Sequence, residues 1–416
     1  MSTERVSLQL SLDDVVEYLT GVGTTLMSYG CSTHRTENVV RLIAEIEGCT
    51  AHAFALPTGF WLSVRRGDSN PVVRMTRVHE WALDLDRLST VDRVFNDVID
   101  RKITLKEARA LIVAVEKQPP PYPRLLSWLA SASAAGASAV FFRARLLEVG
   151  VAALGGLLLY LASRVLRSRP EAKLLENFIG GLVAACLAWA ATALNPNLSR
   201  EVIVLSVVIL LVPGMTLTTG LSELANRNLV AGGARLMQAL MVFLSILIGI
   251  AGPIAVERAL HLRLHHVVAS AASRDAPAVW IQVVALLASA IAFSIVFAVP
   301  RRYLWAAVIS GALGWIVTGQ AAIYLPGSIA AFAAALIVSL YANACARATK
   351  RPTQVFLMPG MVLLVPGSFG FLSLESFLRG EFLGGAAKGF EMFMIAGSIV
   401  IGTLLANVVL PSRKVL

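Results

Sequence analysis

The sequence has few charged residues. Only 15% of its 416 positions are Asp, Glu, Lys or Arg, whereas 56% are hydrophobic. Soluble globular chains carry about 25% charge, so this composition excludes a chain that is soluble along its whole length. The charge is also uneven, because residues 1–124 hold most of the acids and the long apolar runs lie beyond Leu125. We therefore expect a soluble N-terminal part followed by a membrane part.

Cysteine is scarce, and no secretory signal can be recognised. Asp13, Asp14 and Glu17 interrupt the first apolar positions, which the apolar segment of a signal peptide does not allow. The four cysteines, two in the N-terminal part and two in apolar runs, suit a reducing compartment. We expect the N-terminal part to stay in the cytoplasm.

The usual catalytic signatures are missing. The sequence has no Gly-rich phosphate loop, no nucleophile elbow and no metal motif, which argues against ATP-driven transport and against an enzyme. Cys31-x-x-His34 and Cys49-x-x-His52 look like zinc ligands, but the helix predicted between them is about 25 Å long and keeps them apart. The excess of bases lies between hydrophobic runs, as in membrane proteins, and does not indicate nucleic acid. We expect no catalytic residue, no metal and no cofactor.

The N-terminal part has the alternation of helix and strand patterns of a small α/β domain. Gly30 and Gly48 terminate two helices, Pro57-Thr58-Gly59 separates two strands, and Thr104 with Glu107 predicts a capping box. The predicted elements are helices at 13–29, 33–47, about 90–102 and 105–116, and strands at 50–56, 59–65 and 72–78.

Ten apolar stretches are about as long as the roughly 20 residues that cross a bilayer. They are 125–142, 147–165, 174–194, 201–219, 234–256, 277–299, 303–319, 322–344, 354–373 and 389–410. With the N-terminus inside, thirteen Lys and Arg fall in cytoplasmic segments and eight in outside segments. This bias predicts that both termini are cytoplasmic in a cell (inner) membrane.

Two segments of the membrane part repeat. Residues 210–214, Leu-Leu-Val-Pro-Gly, recur as 363–367, and at the same offset of 153 positions Gly232 matches Gly385. The copies lie in the fourth and ninth predicted spans. Because these are five spans apart, an odd number, the copies cross the membrane in opposite directions. We predict a polytopic α-helical membrane protein with two inverted five-helix repeats, the architecture of many secondary transporters. Chance similarity between apolar segments is the alternative.

The predicted domain boundaries follow from these patterns. They are 1–118 for a cytoplasmic α/β domain, 119–124 for a Pro-rich linker, 125–256 for the first repeat, 257–276 for an outside loop and 277–411 for the second repeat.

Several ordered motifs resemble those of the threonine/serine exporter family. The matching segments are 30–37 (Gly-Cys-Ser-Thr-His-Arg-Thr-Glu), 57–59, 76–78 and 104–108, then Val212-Pro213-Gly214 with Glu223 and 230–235. The resemblance implies export of threonine and serine, or of a small dicarboxylate in related members, driven by an ion gradient. It also implies the fused form of a family in which some members are split into two chains. Residues 142–145 (Phe-Arg-Ala-Arg) depart from the glycine-rich hairpin of relatives, and Glu223 stands where an Asp is usual.

The candidate translocation residues lie at the Pro-Gly breaks and just after them. A break frees backbone amides and carbonyls from helical hydrogen bonding. Hydroxyl side chains can bind the ammonium or hydroxyl of an amino acid. A zwitterionic solute needs a cation for its carboxylate and an acid for its ammonium. Proton coupling needs a carboxyl whose pKa responds to water access. There are two alternatives without a role in transport. The prolines can be ordinary helix kinks, and the charged side chains can snorkel to the membrane interface. The candidates are Pro213, Gly214, Thr216, Thr219, Glu223, Arg235, Gln238, Pro366, Gly367, Ser368, Lys388 and Glu391.

The sequence thus favours a secondary exporter of threonine or serine by antiport with H+, with membrane lipid around it and a homo-oligomer left open. One alternative is an exporter of a C4-dicarboxylate such as succinate, for which Arg235 and Lys388 would dominate. Another is a membrane-anchored sensor or enzyme, for which His34, Arg35, Glu37 and Thr58 are the candidate residues.

Overall fold

The structure, a computed structural model, describes residues 11–78, 83–168, 172, 175–259, 274–378 and 380–411. Much of the predicted outside loop, and several of the bases used to predict orientation, lie outside these residues. The description below runs from the N-terminal elements to the membrane helices.

The N-terminal part has the predicted order of helices and strands. The third helix begins five residues before the prediction, because Asp84 caps it by accepting a hydrogen bond from the Arg87 amide at 3.0 Å. The predicted capping box at Thr104 and Glu107 is present. The elements are α1 (Leu12–Ser28), α2 (Thr33–Ile46), β1 (Thr50–Leu56), β2 (Gly59–Arg65), β3 (Val72–Arg77), α3 (Leu85–Ile99) and α4 (Leu105–Glu116).

The three strands form one antiparallel sheet in the order β1-β2-β3. Phe60 and Leu62 of β2 point to the buried face, and the Phe60 ring lies against Gly23 of α1. A Cβ on Gly23 would be 2.7 Å from Phe60 Cε1, so the glycine lets the helix approach the sheet closely. This contact holds α1 against the inner face of the sheet.

Twelve further α-helices lie in the described part of the chain. They are α5 (Arg124–Phe141), α6 (Leu146–Arg167), α7 (Glu176–Leu194), α8 (Arg200–Val208), α9 (Gly214–Ala225), α10 (Leu229–Ala259), α11 (Val279–Val296), α12 (Leu304–Ala321), α13 (Gly327–Thr349), α14 (Gln354–Met361), α15 (Gly367–Leu378) and α16 (Phe382–Val409).

Seven helices in the described part of the chain are long and apolar enough to cross a membrane. They are α6, α7, α10, α11, α12 with its preceding short turn, α13 and α16. The chain is therefore a multi-pass membrane protein, and the count of ten spans stays a prediction. The predicted start of the eighth span at residue 322 is wrong: the helix begins at Gly327, because the chain turns through Leu325 and Pro326 occupies the N-cap.

The same helix pairs recur in both membrane halves. Helix α7 packs on α10 as α13 packs on α16, and α9 packs on α10 as α15 packs on α16. In the first pairing Gly249 of α10 faces the Phe178 carbonyl, and in the second Gly402 of α16 faces the Phe332 carbonyl. A Cβ on Gly402 would be 2.7 Å from that oxygen, and one on Gly249 would overlap its counterpart. Glycines 153 positions apart thus permit the same close helix packing.

The N-terminal part packs on one end of the membrane helices. The Leu85 amide donates to the Phe297 carbonyl at 3.0 Å, and the Tyr122 hydroxyl donates to the Val299 carbonyl at 2.5 Å. Phe356 of α14 belongs to the same buried cluster as the core of the α/β elements. We call this end of the helices the docked end.

Candidate functional site

The two Pro-Gly segments interrupt helices in the same way. Helix α8 ends at Val208 and α9 begins at Gly214, and α14 ends at Met361 while α15 begins at Gly367. At each break a glycine amide bonds to the carbonyl two residues earlier, Gly214 to Val212 at 2.8 Å and Gly367 to Val365 at 2.9 Å. Because proline lacks an amide hydrogen, Pro213 and Pro366 each remove one bond of the helical ladder where the helix is interrupted.

The two breaks contact each other. The ideal Cβ position of Gly214 lies 3.4 Å from Gly367 Cα, and that of Gly367 lies 3.8 Å from Gly214 Cα. A real Cβ on Gly214 would overlap Val365, and one on Gly367 would overlap Val212. The contact is reciprocal, so a side chain larger than hydrogen fits at neither glycine without a shift.

Hydroxyl groups follow each break. Thr216 is buried, and Thr219 and Ser368 are half-buried. Thr218 donates to the Gly214 carbonyl at 3.0 Å. Backbone amides and carbonyls released from helical bonding, together with these hydroxyls, can hydrogen-bond the ammonium, carboxylate or side-chain hydroxyl of a small solute.

Glu223 lies at the far end of α9, in contact with the N-terminal part. Its Oε1 accepts from the Thr33 amide at 2.8 Å, and its Oε2 accepts from the Thr33 hydroxyl at 2.5 Å and from Asn228 Nδ2 at 3.0 Å. Thr33 is the first residue of α2, whose N-cap Ser32 makes no side-chain capping bond. The Glu223 carboxylate therefore caps α2 from another element of the fold, and its negative charge interacts favourably with the positive end of the helix dipole.

Titratable side chains surround this contact. The His34 Nδ1 lies 3.9 Å from Glu223 Oε2, and the buried Arg235 of α10 interacts electrostatically with Glu223. On the N-terminal side Glu37 accepts from the Ala55 amide at 2.8 Å, and burial raises the pKa of this carboxyl. Burial also raises the pKa of the Cys31 thiol to about 11, so Cys31 is a protonated thiol at neutral pH.

The residues that match Glu223 and Arg235 in the second half also meet. Lys388 Nζ donates to Ser376 Oγ at 2.9 Å, and Ser373 donates to the Gly385 carbonyl at 2.6 Å, which links α15 to α16. The acid of the first half is thus a serine in the second, and no N-terminal helix is capped there among the described residues.

Two candidate residues are exposed. They are Gln238 on α10 and Glu391 on α16. Glu391 lies beside the start of α13, with one carboxylate oxygen 4.0 Å from the ideal Cβ position of Gly327. The structure therefore does not place Glu391 together with Glu223, which contacts Thr33.

The sequence reasoning missed a buried ion pair at the end of the helices opposite the docked end. Arg274 donates to Glu148 from Nη1 at 2.6 Å and from Nη2 at 3.0 Å, and Glu148 is fully buried. Glu148 also accepts from the amides of Arg145 and Ser199. The spacing of Arg145 and Glu148 at a helix start was the local signal, but a sequence does not reveal that the acid is buried.

Two family models match the chain. One, described as "Putative threonine/serine exporter", matches residues 17–256, and the other, described as "Threonine/Serine exporter, ThrE", matches residues 282–409. The chain belongs to the threonine/serine exporter family. The resemblance expected from the ordered motifs is confirmed, and both halves of this family member are matched.

Individual relatives are distant. A "Probable threonine/serine exporter" of Mycobacterium tuberculosis is 24% identical over 353 residues, which cover 82% of this chain and 66% of that protein. Two uncharacterized proteins of Schizosaccharomyces pombe are 22% and 24% identical over 56% and 59% of this chain, and over 29% and 34% of their own lengths. The chain thus spans less than two thirds of the length of these relatives. No solved structure matches it.

Proposed function

We propose that this protein is a secondary active exporter of small amino acids, with threonine and serine as its substrates and H+ as its coupling ion. The solute site is formed by the two broken helices, α8 with α9 and α14 with α15. The observation that carries the proposal is the reciprocal contact of Gly214 with Val365 and of Gly367 with Val212. Interrupted helices at matching positions of two halves are a common way for transporters to build a solute site.

We further propose ten spans in two inverted repeats, with each broken helix counted as one span. The docked end supports this topology. Glu223, Asn228, Arg301 and Arg351 all hydrogen-bond to the N-terminal part, and all four fall in segments that the positive-inside rule puts in the cytoplasm. Helix α5 starts beside this end, so its far terminus and the Glu148–Arg274 pair belong to the opposite side.

The proposed domain boundaries are those predicted from the sequence, with 1–118 as a cytoplasmic domain and 125–256 and 277–411 as the two repeats. The hydrogen bond from Thr33 to Glu223 ties this domain to the first repeat, and that from Leu85 to Phe297 ties it to the second. A domain that holds both repeats at one end is well placed to control the opening of that end.

Threonine and serine suit the chemistry near the breaks. Thr216, Thr219 and Ser368 offer hydroxyls, and the open helix ends offer backbone groups of both kinds. Neither break presents a pair of cations within the described residues, as a dicarboxylate would need, so the succinate alternative gains no support from a specific contact.

Glu223 is the better candidate for the coupling carboxyl. It is buried and its charge is held by three hydrogen-bond donations, whereas Glu391 is exposed. Protonation of Glu223 would weaken its bonds to Thr33, since hydrogen bonds to a charged acceptor are roughly twice as strong as neutral ones. One protonation event is thereby linked to the contact between the cytoplasmic domain and the membrane part.

Counterflow in liposomes tests this function. We expect labelled threonine and serine to exchange, faster with a pH gradient, and labelled succinate to stay outside. Glu223→Gln should retain exchange but lose the response to the gradient, and Glu391→Gln should keep both. Succinate flux alone would overturn the substrate, and a full gradient response in Glu223→Gln would overturn the coupling residue.

A further inference from the structure

A cavity of about 310 Å³ lies in the N-terminal part, between α1, β3 and α4. Its volume is at the lower end of the roughly 300–1,000 Å³ of small-molecule sites. It is formed only by residues of the α/β elements and includes neither Thr33 nor any membrane helix. Any molecule that binds there occupies a site separate from the broken helices.

Charged groups of both signs line this cavity. Glu17 of α1 pairs with Arg109 of α4, whose Nη1 is 3.0 Å from Glu17 Oε2. Arg74 of β3 and Glu116 of α4 line the same space. Two guanidinium groups and two carboxylates can receive the carboxylate and the ammonium of one zwitterion. An anion such as a phosphate would meet repulsion from the two carboxylates.

Gly21 leaves this cavity open. A Cβ added at Gly21 would meet nothing within 4 Å, in contrast to the neighbouring Gly23, where the Phe60 ring excludes a Cβ. Glycine inside a helix is less stable than alanine, and packing does not require a glycine at position 21. The missing side chain instead keeps the cavity wide in the middle of α1.

Polar groups on α1 complete the lining. Thr20 and Thr24 donate their hydroxyl hydrogens to carbonyls of their own helix at 2.7 and 2.9 Å, which leaves oxygen lone pairs to accept from an ammonium group. Tyr18 also lines the cavity and is 2% exposed.

We propose that this cavity binds a small zwitterionic α-amino acid, with Arg109 or Arg74 holding the carboxylate and Glu17 or Glu116 holding the ammonium. It is a second amino-acid site, and it does not rest on the transport function proposed above. Helix α1 leads through residues 29–32 directly to Thr33, so a ligand there can influence the contact with Glu223.

Hydrogen exchange of the purified full chain tests the site locally, apart from any binding at the broken helices. L-threonine and L-serine are the probes, and N-acetylthreonine and threoninol, which lack the ammonium and the carboxylate respectively, are the controls. At about ten times Kd we expect the amides of 17–25 and 109–116 to exchange about tenfold more slowly. The two controls should leave the exchange unchanged.

Two matched variants decide the position of the site. Gly21→Ala leaves space and should keep the protection, whereas Gly21→Leu, also a good helix former, should abolish it. Arg109→Gln changes an exposed side chain and should weaken the protection, so it tests the site even if Gly21→Leu fails to fold. Absence of protection in the native protein would overturn the proposal. So would protection in both Gly21→Leu and Arg109→Gln that equals that of the native protein. Threonine counterflow measured in parallel tests the transport function proposed above, so that failure of one proposal can be told from failure of the other.

Discussion

The amide and the hydroxyl of Thr33 donate to the two carboxylate oxygens of Glu223, 190 positions further along the chain, at 2.8 and 2.5 Å. Thr33 is fully buried and Glu223 is 1% exposed. This contact caps helix α2 and joins the N-terminal part to the end of helix α9. It brings together two of the segments that carry the resemblance to the family, residues 30–37 and Glu223.

Loss of the Thr33 hydroxyl should loosen this contact. We expect Thr33→Val, which keeps the shape, to destabilise the protein by about 1.5–3 kcal/mol, because the hydrogen bond is to a charged and buried acceptor. Thr33→Ser keeps the donor and is the matched control. Thermal unfolding of the purified variants measures the difference, and a double-mutant cycle with Glu223→Gln isolates the pair. Equal stability of the two Thr33 variants would show that the hydroxyl contributes nothing.

The contact between the two breaks should not tolerate a methyl group. Gly214→Ala and Gly367→Ala each place a Cβ against a valine of the other break, and such overpacking costs about 1–3 kcal/mol. We expect both variants to lose threonine counterflow. Gly233→Ala is the control, because a Cβ there meets nothing within 4 Å. If Gly214→Ala transports as well as Gly233→Ala, close approach of the breaks is not needed for function.

Local features of the fold could be predicted from the sequence because their causes lie within a few residues. The Pro57-Thr58-Gly59 segment led to strands that have the predicted bounds, since Leu56 pairs with Gly59 across a tight turn. The breaks at Pro213 and Pro366 could be predicted from the Pro-Gly pair, in which proline lacks the amide hydrogen and glycine frees the backbone. These signals need no knowledge of the tertiary structure.

The candidate site was harder to predict, because its contacts are distant in sequence. Nothing near Glu223 indicates that its partner is Thr33. Gln238 and Glu391 were candidates because they follow the breaks in the sequence, and both are exposed in the structure. The order of residues along a helix is visible in the sequence, whereas the face on which a side chain lies depends on the helices packed around it.

The stability of the N-terminal part should depend on pH through Glu37. Burial raises the pKa of this carboxyl above its usual 4.5, so the folded protein holds the proton to higher pH than the unfolded chain does. Stability that Glu37 contributes is therefore lost as pH rises through this raised value. We expect Glu37→Gln, which can still accept from Ala55, to lessen the loss of stability as pH rises above the usual carboxyl value of 4.5. Thermal unfolding followed from acidic to neutral pH measures it, and parallel curves for the two proteins would contradict the assignment.

The ion pair of Glu148 and Arg274 should stabilise the end of the helices opposite the docked end. It joins the start of α6 to the segment that leads into α11, and the two side chains are 0% and 11% exposed. Removing one partner of a buried pair leaves the other charge uncompensated, at a cost of about 3–5 kcal/mol. We expect Glu148→Gln to cause a loss of this size in thermal unfolding. Glu176→Gln breaks a longer contact of 3.8 Å to the exposed Arg167 and should cost less than about 1 kcal/mol. If both variants unfold alike, the pair does not stabilise the contact between the two halves. If only Glu148→Gln is destabilised, threonine counterflow measured with this variant tests whether transport needs the ion pair.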